Sequence, residues 1–185
     1  MWLFLFTELI LFGGLFIVYA VYRFTYSNEF ALAAKELDTF LGMVNTLVLL
    51  TSSLTMAMSI TAIQKQNKNL AMLLIGLTIA LALTFMVNKY FEWGAKFSHG
   101  IYPGGNELIN KTNGEILYFG LYYVMTGLHG LHVIIGVIIL SVMLYFIRTD
   151  HITKDSFVKL ENSGLYWHLV DIIWIFLFPL FYLIH

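Results

Sequence analysis

Five stretches of the sequence are long and apolar enough to cross a lipid bilayer. A membrane-spanning helix needs about 20 mostly apolar residues. Residues 2–22, 40–63, 70–88, 116–147 and 162–184 meet that requirement. Because hydrocarbon offers no hydrogen-bond partners, the backbone of each span must satisfy its own polar groups as a helix. The sequence therefore predicts an all-α integral membrane bundle of five transmembrane helices, forming one membrane domain over residues 1–185.

The composition excludes several other classes of protein. Only 11% of the residues are charged, against about 25% in soluble globular domains. Lys and Arg number 10 against 11 Asp and Glu, so no basic surface for nucleic acid is expected. The chain has no cysteine, which excludes disulfides, cysteine-ligated metals and thiol catalysis. The first apolar segment lacks a positively charged start and a small-residue cleavage site, so we expect a retained helix.

The basic residues of the loops predict an orientation in the membrane. Loops one and three carry five Lys and Arg residues, and loops two and four carry five in about half the length. The first set is Arg23, Lys35, Lys89, Lys96 and Lys111, and the second is Lys65, Lys68, Arg148, Lys154 and Lys159. Since basic loops tend to stay inside, the denser second set predicts an inside N-terminus and an outside C-terminus.

Glu8 is the only charged-type residue in the first predicted span. At 1.5 Å per residue it lies about 9 Å into that span. A carboxyl group within a membrane is costly and is by default a functional candidate. The alternative is a protonated glutamic acid that hydrogen-bonds a neighbouring helix, and the two interpretations are compatible.

The fourth span contains a pair of histidines among glycines. His129 and His132 are three residues apart, so we expect them to share a helical face. Gly127 and Gly130 lie beside them and predict close packing against another helix.

The fifth span contains a second polar pair. His168 and Asp171 are also three residues apart, and Glu161 precedes His168 by seven. An apolar span tolerates such groups when they are satisfied, so we expect a hydrogen-bonded network within the bundle that reaches Glu161.

Three interpretations of the histidines remain open from spacing alone. His129 or His132 facing His168 could bracket a haem. A metal site could combine the three histidines with Asp171 and Glu8. The third is structural, with imidazoles hydrogen-bonded between helices, which is the commonest role of such a pair.

Four motifs make the chain similar to subunit III of the haem-copper respiratory oxidases. They read TELILFGGLF (7–16), KYFEWGAKFSHGIYPG (89–104), TGLHGLHVIIG (126–136) and ENSGLYWHLVDIIWIFLF (161–178). They occur in the family's order, and the resemblance covers essentially the whole chain. It is to the short five-helix form found among bacterial quinol oxidases, beginning at what looks like the third helix of the seven-helix form.

The resemblance implies an accessory core subunit of a proton-pumping terminal oxidase that reduces oxygen to water. No haem or copper is then expected in this chain, because the family places both in partner subunits. Subunit I is the expected main contact, with subunit II, other respiratory subunits and phospholipid as further partners. The implied roles are to stabilise subunit I, hold lipid and support proton uptake.

The resemblance also implies a location and a set of polar groups. The expected location is the bacterial plasma membrane, with the N-terminus in the cytoplasm and the C-terminus outside. Glu8, His168 and Asp171 then lie in the inner half of the bilayer. In the family's long form a cleft beside the first two helices holds phospholipid, and here one wall of it is absent or is supplied by another chain.

Two rival functions stay open at this point. One is a related five-helix subunit of a nitric oxide reductase system. The other is a standalone haem-binding or metal-dependent membrane enzyme, whose isolated chain would be coloured in the case of haem.

Overall fold

A computed structural model describes residues 1–153 and 156–184, without the side chain of Asn106. Within these residues the chain forms seven helices and no strand. They are α1 (Trp2–Thr25), α2 (Ser27–Ala34), α3 (Thr39–Gln64), α4 (Lys68–Ser98), α5 (Asn106–Ile109), α6 (Asn113–Arg148) and α7 (Val158–Tyr182). Five of them, α1, α3, α4, α6 and α7, are long and apolar enough to cross a membrane. The predicted all-α bundle of five transmembrane helices is confirmed.

The fourth helix of the chain is longer than its predicted span. α4 continues to Ser98, ten residues beyond the predicted end at residue 88. Charged residues usually end an apolar span, but Lys89 and Glu92 pair with each other inside the bundle. Lys96 donates a hydrogen bond to the backbone carbonyl of Glu36. Lys154, which contributed to the predicted orientation, lies outside the described residues.

Polar side chains cap three of the long helices at their N-termini. Asp38 accepts from the Leu41 amide at 3.1 Å at the start of α3, and Asn67 caps α4 in the same way. At α6, Thr112 and Glu115 form a reciprocal capping box. These caps satisfy amides that have no partner within the helix, and they fix where each span begins.

The first helix is attached to the bundle by one narrow stripe. α3 and α4 form an antiparallel pair, α7 packs against α3 and α6, and α4 packs against α6. α1 lies at the margin, against α2, α6 and α7. Its buried residues are Leu5, Phe12 and Tyr19, at intervals of seven. The Tyr19 hydroxyl donates to the carbonyl of Leu180, and Leu15 and Phe16 are partly buried beside this stripe.

The closest approach of α6 to α7 depends on Gly136. A Cβ atom there would lie 2.7 Å from the ring of Trp167, whereas one at Gly120, on the same helix, would meet nothing within 4 Å. We expect Gly136→Ala to lower the free energy of unfolding by about 1–3 kcal/mol, because extra carbon in a packed interface forces neighbours apart. The measurement is the midpoint of thermal unfolding in detergent. Gly120→Ala is the matched control, and equal midpoints for the two variants would contradict the packing described.

Candidate functional site

A hydrogen bond joins the carboxyl group of Glu8 in α1 to the imidazole of His132 in α6. Glu8 Oε2 lies 2.8 Å from His132 Nε2, and His132 Nδ1 lies 2.8 Å from the carbonyl oxygen of Leu128. A carbonyl oxygen only accepts, so Nδ1 carries a hydrogen. Nε2 therefore either accepts from a protonated Glu8 or donates to an ionised one. In both cases the pair shares a single proton.

Aromatic groups enclose this pair. The Phe12 ring stands edge-on to the His132 ring at 5.4 Å. The Tyr166 hydroxyl of α7 donates to the backbone carbonyl of His132 at 3.0 Å. The side chains of His132 and Glu8 are only 9% and 13% exposed. The pair thus ties α1 to α6 in apolar surroundings, where a hydrogen bond is stronger than in water.

His129 and His132 contact different helices, which corrects the predicted shared face. His129 is fully buried, with ring centroids 5.6 Å from Phe85 of α4 and 5.2 Å from Trp174 of α7. Neither of its ring nitrogens has a hydrogen-bond partner in the described part of the chain. Side chains three residues apart on a helix point about 60° apart. That angle is enough to send one ring toward α4 and α7 and the other toward α1.

The polar pair of α7 is joined to α3. His168 Nδ1 lies 2.6 Å from the Ser53 hydroxyl oxygen. The Asp171 carboxyl is 2% exposed and lies next to Ser53, yet it makes no hydrogen bond of good geometry with any described residue. Glu161 is partly buried, and its carboxylate has no described partner. The predicted network of these three groups is therefore not formed among the described residues, where the one hydrogen bond of the set joins His168 to Ser53.

The most completely satisfied polar cluster is one that the sequence analysis did not predict. Lys89 Nζ donates to Glu92 Oε2 at 2.9 Å, to the Tyr122 hydroxyl at 3.1 Å and to the Tyr182 hydroxyl at 2.8 Å. The other carboxylate oxygen of Glu92 accepts from both tyrosines, at 2.8 and 2.6 Å. The side chains of Lys89 and Glu92 are 8% and 4% exposed. The opposite charges three residues apart in KYFE were the signal that could have identified the pair.

Aromatic rings also surround the ammonium group of this cluster. Lys89 Nζ lies 5.1 Å from the ring centroids of Tyr122 and Trp174, and 5.5 Å from that of Tyr182. These distances are within the range of cation–π attraction. Because Lys89 is on α4, Tyr122 on α6 and Tyr182 on α7, the cluster holds three helices together.

Gly130 lies beside an open groove between α4 and α6, whereas Gly127 makes the predicted close contact with a neighbouring helix. A Cβ atom at Gly130 would come no nearer than 4.0 Å to the Met86 side chain, and one at Gly127 would lie 3.3 Å from the Trp93 ring. The groove has a volume of about 600 Å³. Space is therefore left at Gly130, while Gly127 and Gly136 are closely packed.

The described side chains do not assemble the metal site that was one of the three interpretations of the histidines. Residues 1–153 and 156–184 contain no group of three or more His, Asp or Glu side chains placed to hold a metal ion. His132 makes hydrogen bonds with Glu8 and with a backbone carbonyl of its own helix, while His168 contacts Ser53. These contacts fit the structural interpretation of the histidines.

Comparison with known proteins gives one consistent family. A family model described as Cytochrome c oxidase subunit III matches residues 1–185. "Cytochrome c oxidase subunit 3" of Yarrowia lipolytica is 41% identical over 77% of this chain and 48% of its own length. "Heme-copper oxidase subunit I+III" of Aeropyrum pernix is 28% identical over 100% of this chain and 22% of its own length. "Probable quinol oxidase subunit 3" of Staphylococcus haemolyticus is 30% identical over 99% of this chain and 86% of its own length. The chain thus spans about half of the first relative and about a fifth of the second.

Removing the Lys89 ammonium would leave the Glu92 carboxylate buried without its counter-charge. We expect Lys89→Met to lower the free energy of unfolding by about 3–5 kcal/mol, and we expect adding Glu92→Gln to restore part of that loss. The measurement is thermal or denaturant unfolding of the purified protein. Lys68→Met is the matched control, because Lys68 pairs with Asp150 at the surface, where an ion pair contributes about 0–1 kcal/mol. Equal losses for Lys89→Met and Lys68→Met would contradict the role of the cluster.

Proposed function

Because the chain belongs to the cytochrome c oxidase subunit III family, we propose that it is an accessory core subunit of a proton-pumping haem-copper terminal oxidase. The observation that carries the proposal is the family match over residues 1–185. The enzyme would oxidise cytochrome c or quinol and reduce oxygen to water. Relatives of this chain are named after both kinds of oxidase, so both donors remain within the proposal.

The main partner in this proposal is subunit I. The Aeropyrum pernix relative carries the names of subunits I and III in a single chain, which supports a direct association. α1 offers a surface for this association. In its most apolar stretch only 17% of the residues are buried in the bundle, whereas in α7 the share is 50%. The outward face of α1 would then contact subunit I or lipid. Subunit II and the other respiratory subunits complete the proposed complex.

The proposed role is structural and requires no redox group in this chain. Haem and copper would be held by the partner subunits, where electrons enter and oxygen is reduced. The histidines have other contacts: His132 bonds to Glu8, and His129 packs between Phe85 and Trp174. This chain would stabilise subunit I during turnover, hold lipid and support proton uptake.

The proposed location is a bacterial plasma membrane, with the N-terminus in the cytoplasm and the C-terminus outside. In that orientation Glu8 lies in the half of the bilayer from which protons are taken up. We assign Glu8 a structural and lipid-linked role, because it attaches the marginal helix α1 to α6 through His132. Proton transfer through Glu8 is the competing role.

The Glu8→Gln variant distinguishes these two roles. Glutamine can still donate a hydrogen bond to His132 Nε2 but cannot release a proton. We expect normal assembly and an unchanged number of protons moved per electron, measured with the complex reconstituted in vesicles. Glu8→Leu, which removes the hydrogen bond, should weaken the association of the chain with the complex. A markedly lower proton-to-electron ratio for Glu8→Gln at normal assembly would overturn the structural assignment.

A further inference from the structure

Two cavities of opposite character meet at the C-terminal end of α4. The first is the groove between α4 and α6, which is lined mainly by apolar side chains. The second is a basin of about 1210 Å³ between that end of α4 and the segments before α3 and α6. Its lining includes Asp38, Lys96, His99 and Glu107. Phe97 lines both cavities. The apolar groove and the charged basin therefore lie next to each other at this residue.

The position of this junction fits the boundary between hydrocarbon and water. The 31 residues of α4 rise about 46 Å, whereas the hydrocarbon core is about 30 Å thick. The last turns of α4 therefore extend toward the head-group region or reach it by tilting. Tyr90 and Trp93 line the groove, and such aromatics favour the membrane interface.

The groove has the length of a hydrocarbon chain that crosses one leaflet. It runs along α4 from Phe85 to Phe97, a rise of about 18 Å, close to the roughly 15 Å depth of one leaflet. Gly94 and Gly130 lie on its walls, where an added Cβ atom would meet no other atom closer than 4.0 Å.

The basin offers both signs of charge to a ligand. Lys111 is already neutralised there by Glu36 and Glu115. Burial alone lowers the pKa of Lys111, but these two carboxylates outweigh it and hold the pKa above the ordinary lysine value. The carboxylate of Glu107 is exposed, and it forms no ion pair with any described residue. Lys96 forms no ion pair within the described residues and donates a hydrogen bond to a backbone carbonyl, while the carboxylates of Glu36, Glu92 and Asp38 lie within electrostatic range of its charge.

We propose that this junction binds one phospholipid with a zwitterionic phosphate–ammonium head group. One acyl chain occupies the groove between α4 and α6, and the head group occupies the basin. Lys96 attracts the phosphate, and Glu107 attracts the ammonium group. This inference extends the lipid-holding part of the proposed function and rests on it for the membrane setting. The bound lipid also accounts for the open space at Gly130.

The test uses the complex that contains this chain, reconstituted in nanodiscs. The probe is phosphatidylethanolamine with a photoreactive diazirine near the end of one acyl chain, and phosphatidylglycerol with the same chain is the comparison. Cross-linked peptides are identified by mass spectrometry. We expect the ethanolamine probe to label groove residues such as Met86 and Leu131 more strongly than the glycerol probe does.

Variants within the chain separate the two halves of the site. Gly130→Leu fills the groove and should reduce labelling roughly tenfold. Gly120→Leu, on the same helix but outside the groove and with open space around it, should leave labelling unchanged. Glu107→Gln should abolish the preference for ethanolamine over glycerol while the groove is still labelled.

Three results would overturn the inference. They are labelling at background level, equal labelling of wild type and Gly130→Leu, or cross-links showing that a partner subunit fills the groove. Stronger labelling by the glycerol probe would overturn the choice of head group. The same preparations report haem content and oxygen consumption. A preparation without a haem-bearing partner would contradict the proposed function, whereas background labelling of an active oxidase would contradict the lipid site alone.

Discussion

The buried ion pair of Lys89 and Glu92 is the interaction on which the contacts of α4 with α6 and α7 depend. Hydrocarbon cannot hydrogen-bond a charge, so each charged atom within the bundle must find its partners in the protein. The three donors of Lys89 and both oxygens of Glu92 are satisfied. The tyrosines that complete the cluster come from α6 and α7, so forming the pair also fixes these helices against α4. Lys89 also lines the groove between α4 and α6, and Glu92 lines the basin at the C-terminal end of α4.

A second polar contact holds the helix that the cluster does not reach. α1 buries only one narrow stripe, and the Glu8–His132 hydrogen bond lies next to it, at the level of Phe12. A hydrogen bond between transmembrane helices is worth about 1 kcal/mol. α1 makes two, to α6 and α7 through Glu8 and Tyr19, and it has the smallest buried share of the five transmembrane helices. A helix with an apolar outward face and modest attachment is suited to a site where a neighbouring subunit completes the packing. This agrees with the proposed accessory role.

The number and position of the transmembrane helices could be predicted from the sequence, because a span must be long and apolar enough to cross the bilayer. Length and hydropathy locate α1, α3, α4, α6 and α7, since each must carry about 20 apolar residues. The same rule failed at the end of α4, where Lys89 and Glu92 neutralise each other within the helix. Polarity in an apolar span was enough to single out Glu8. Its partner His132 depended on how α1 and α6 rotate against each other, which local sequence does not specify.

The sequence also shows where the glycines are, but it does not show what packs against each of them. A glycine pattern in a membrane helix allows close approach, but it does not say whether a helix or a lipid chain takes the space. Gly136 meets Trp167, whereas Gly130 faces an open groove. The difference comes from the large side chains on the neighbouring helices, and only the assembled bundle contains that information.

The measurement that addresses the proposed role most directly is the optical spectrum of what co-purifies with this chain, recorded beside that of the chain alone. The complex is expected to contain haem and copper and to consume oxygen, while the isolated chain is colourless. A Soret band from stoichiometric haem in the isolated chain, lost on changing His129 or His168, would contradict a redox-silent subunit. A co-purifying complex that reduces nitric oxide and not oxygen would contradict its place in a terminal oxidase.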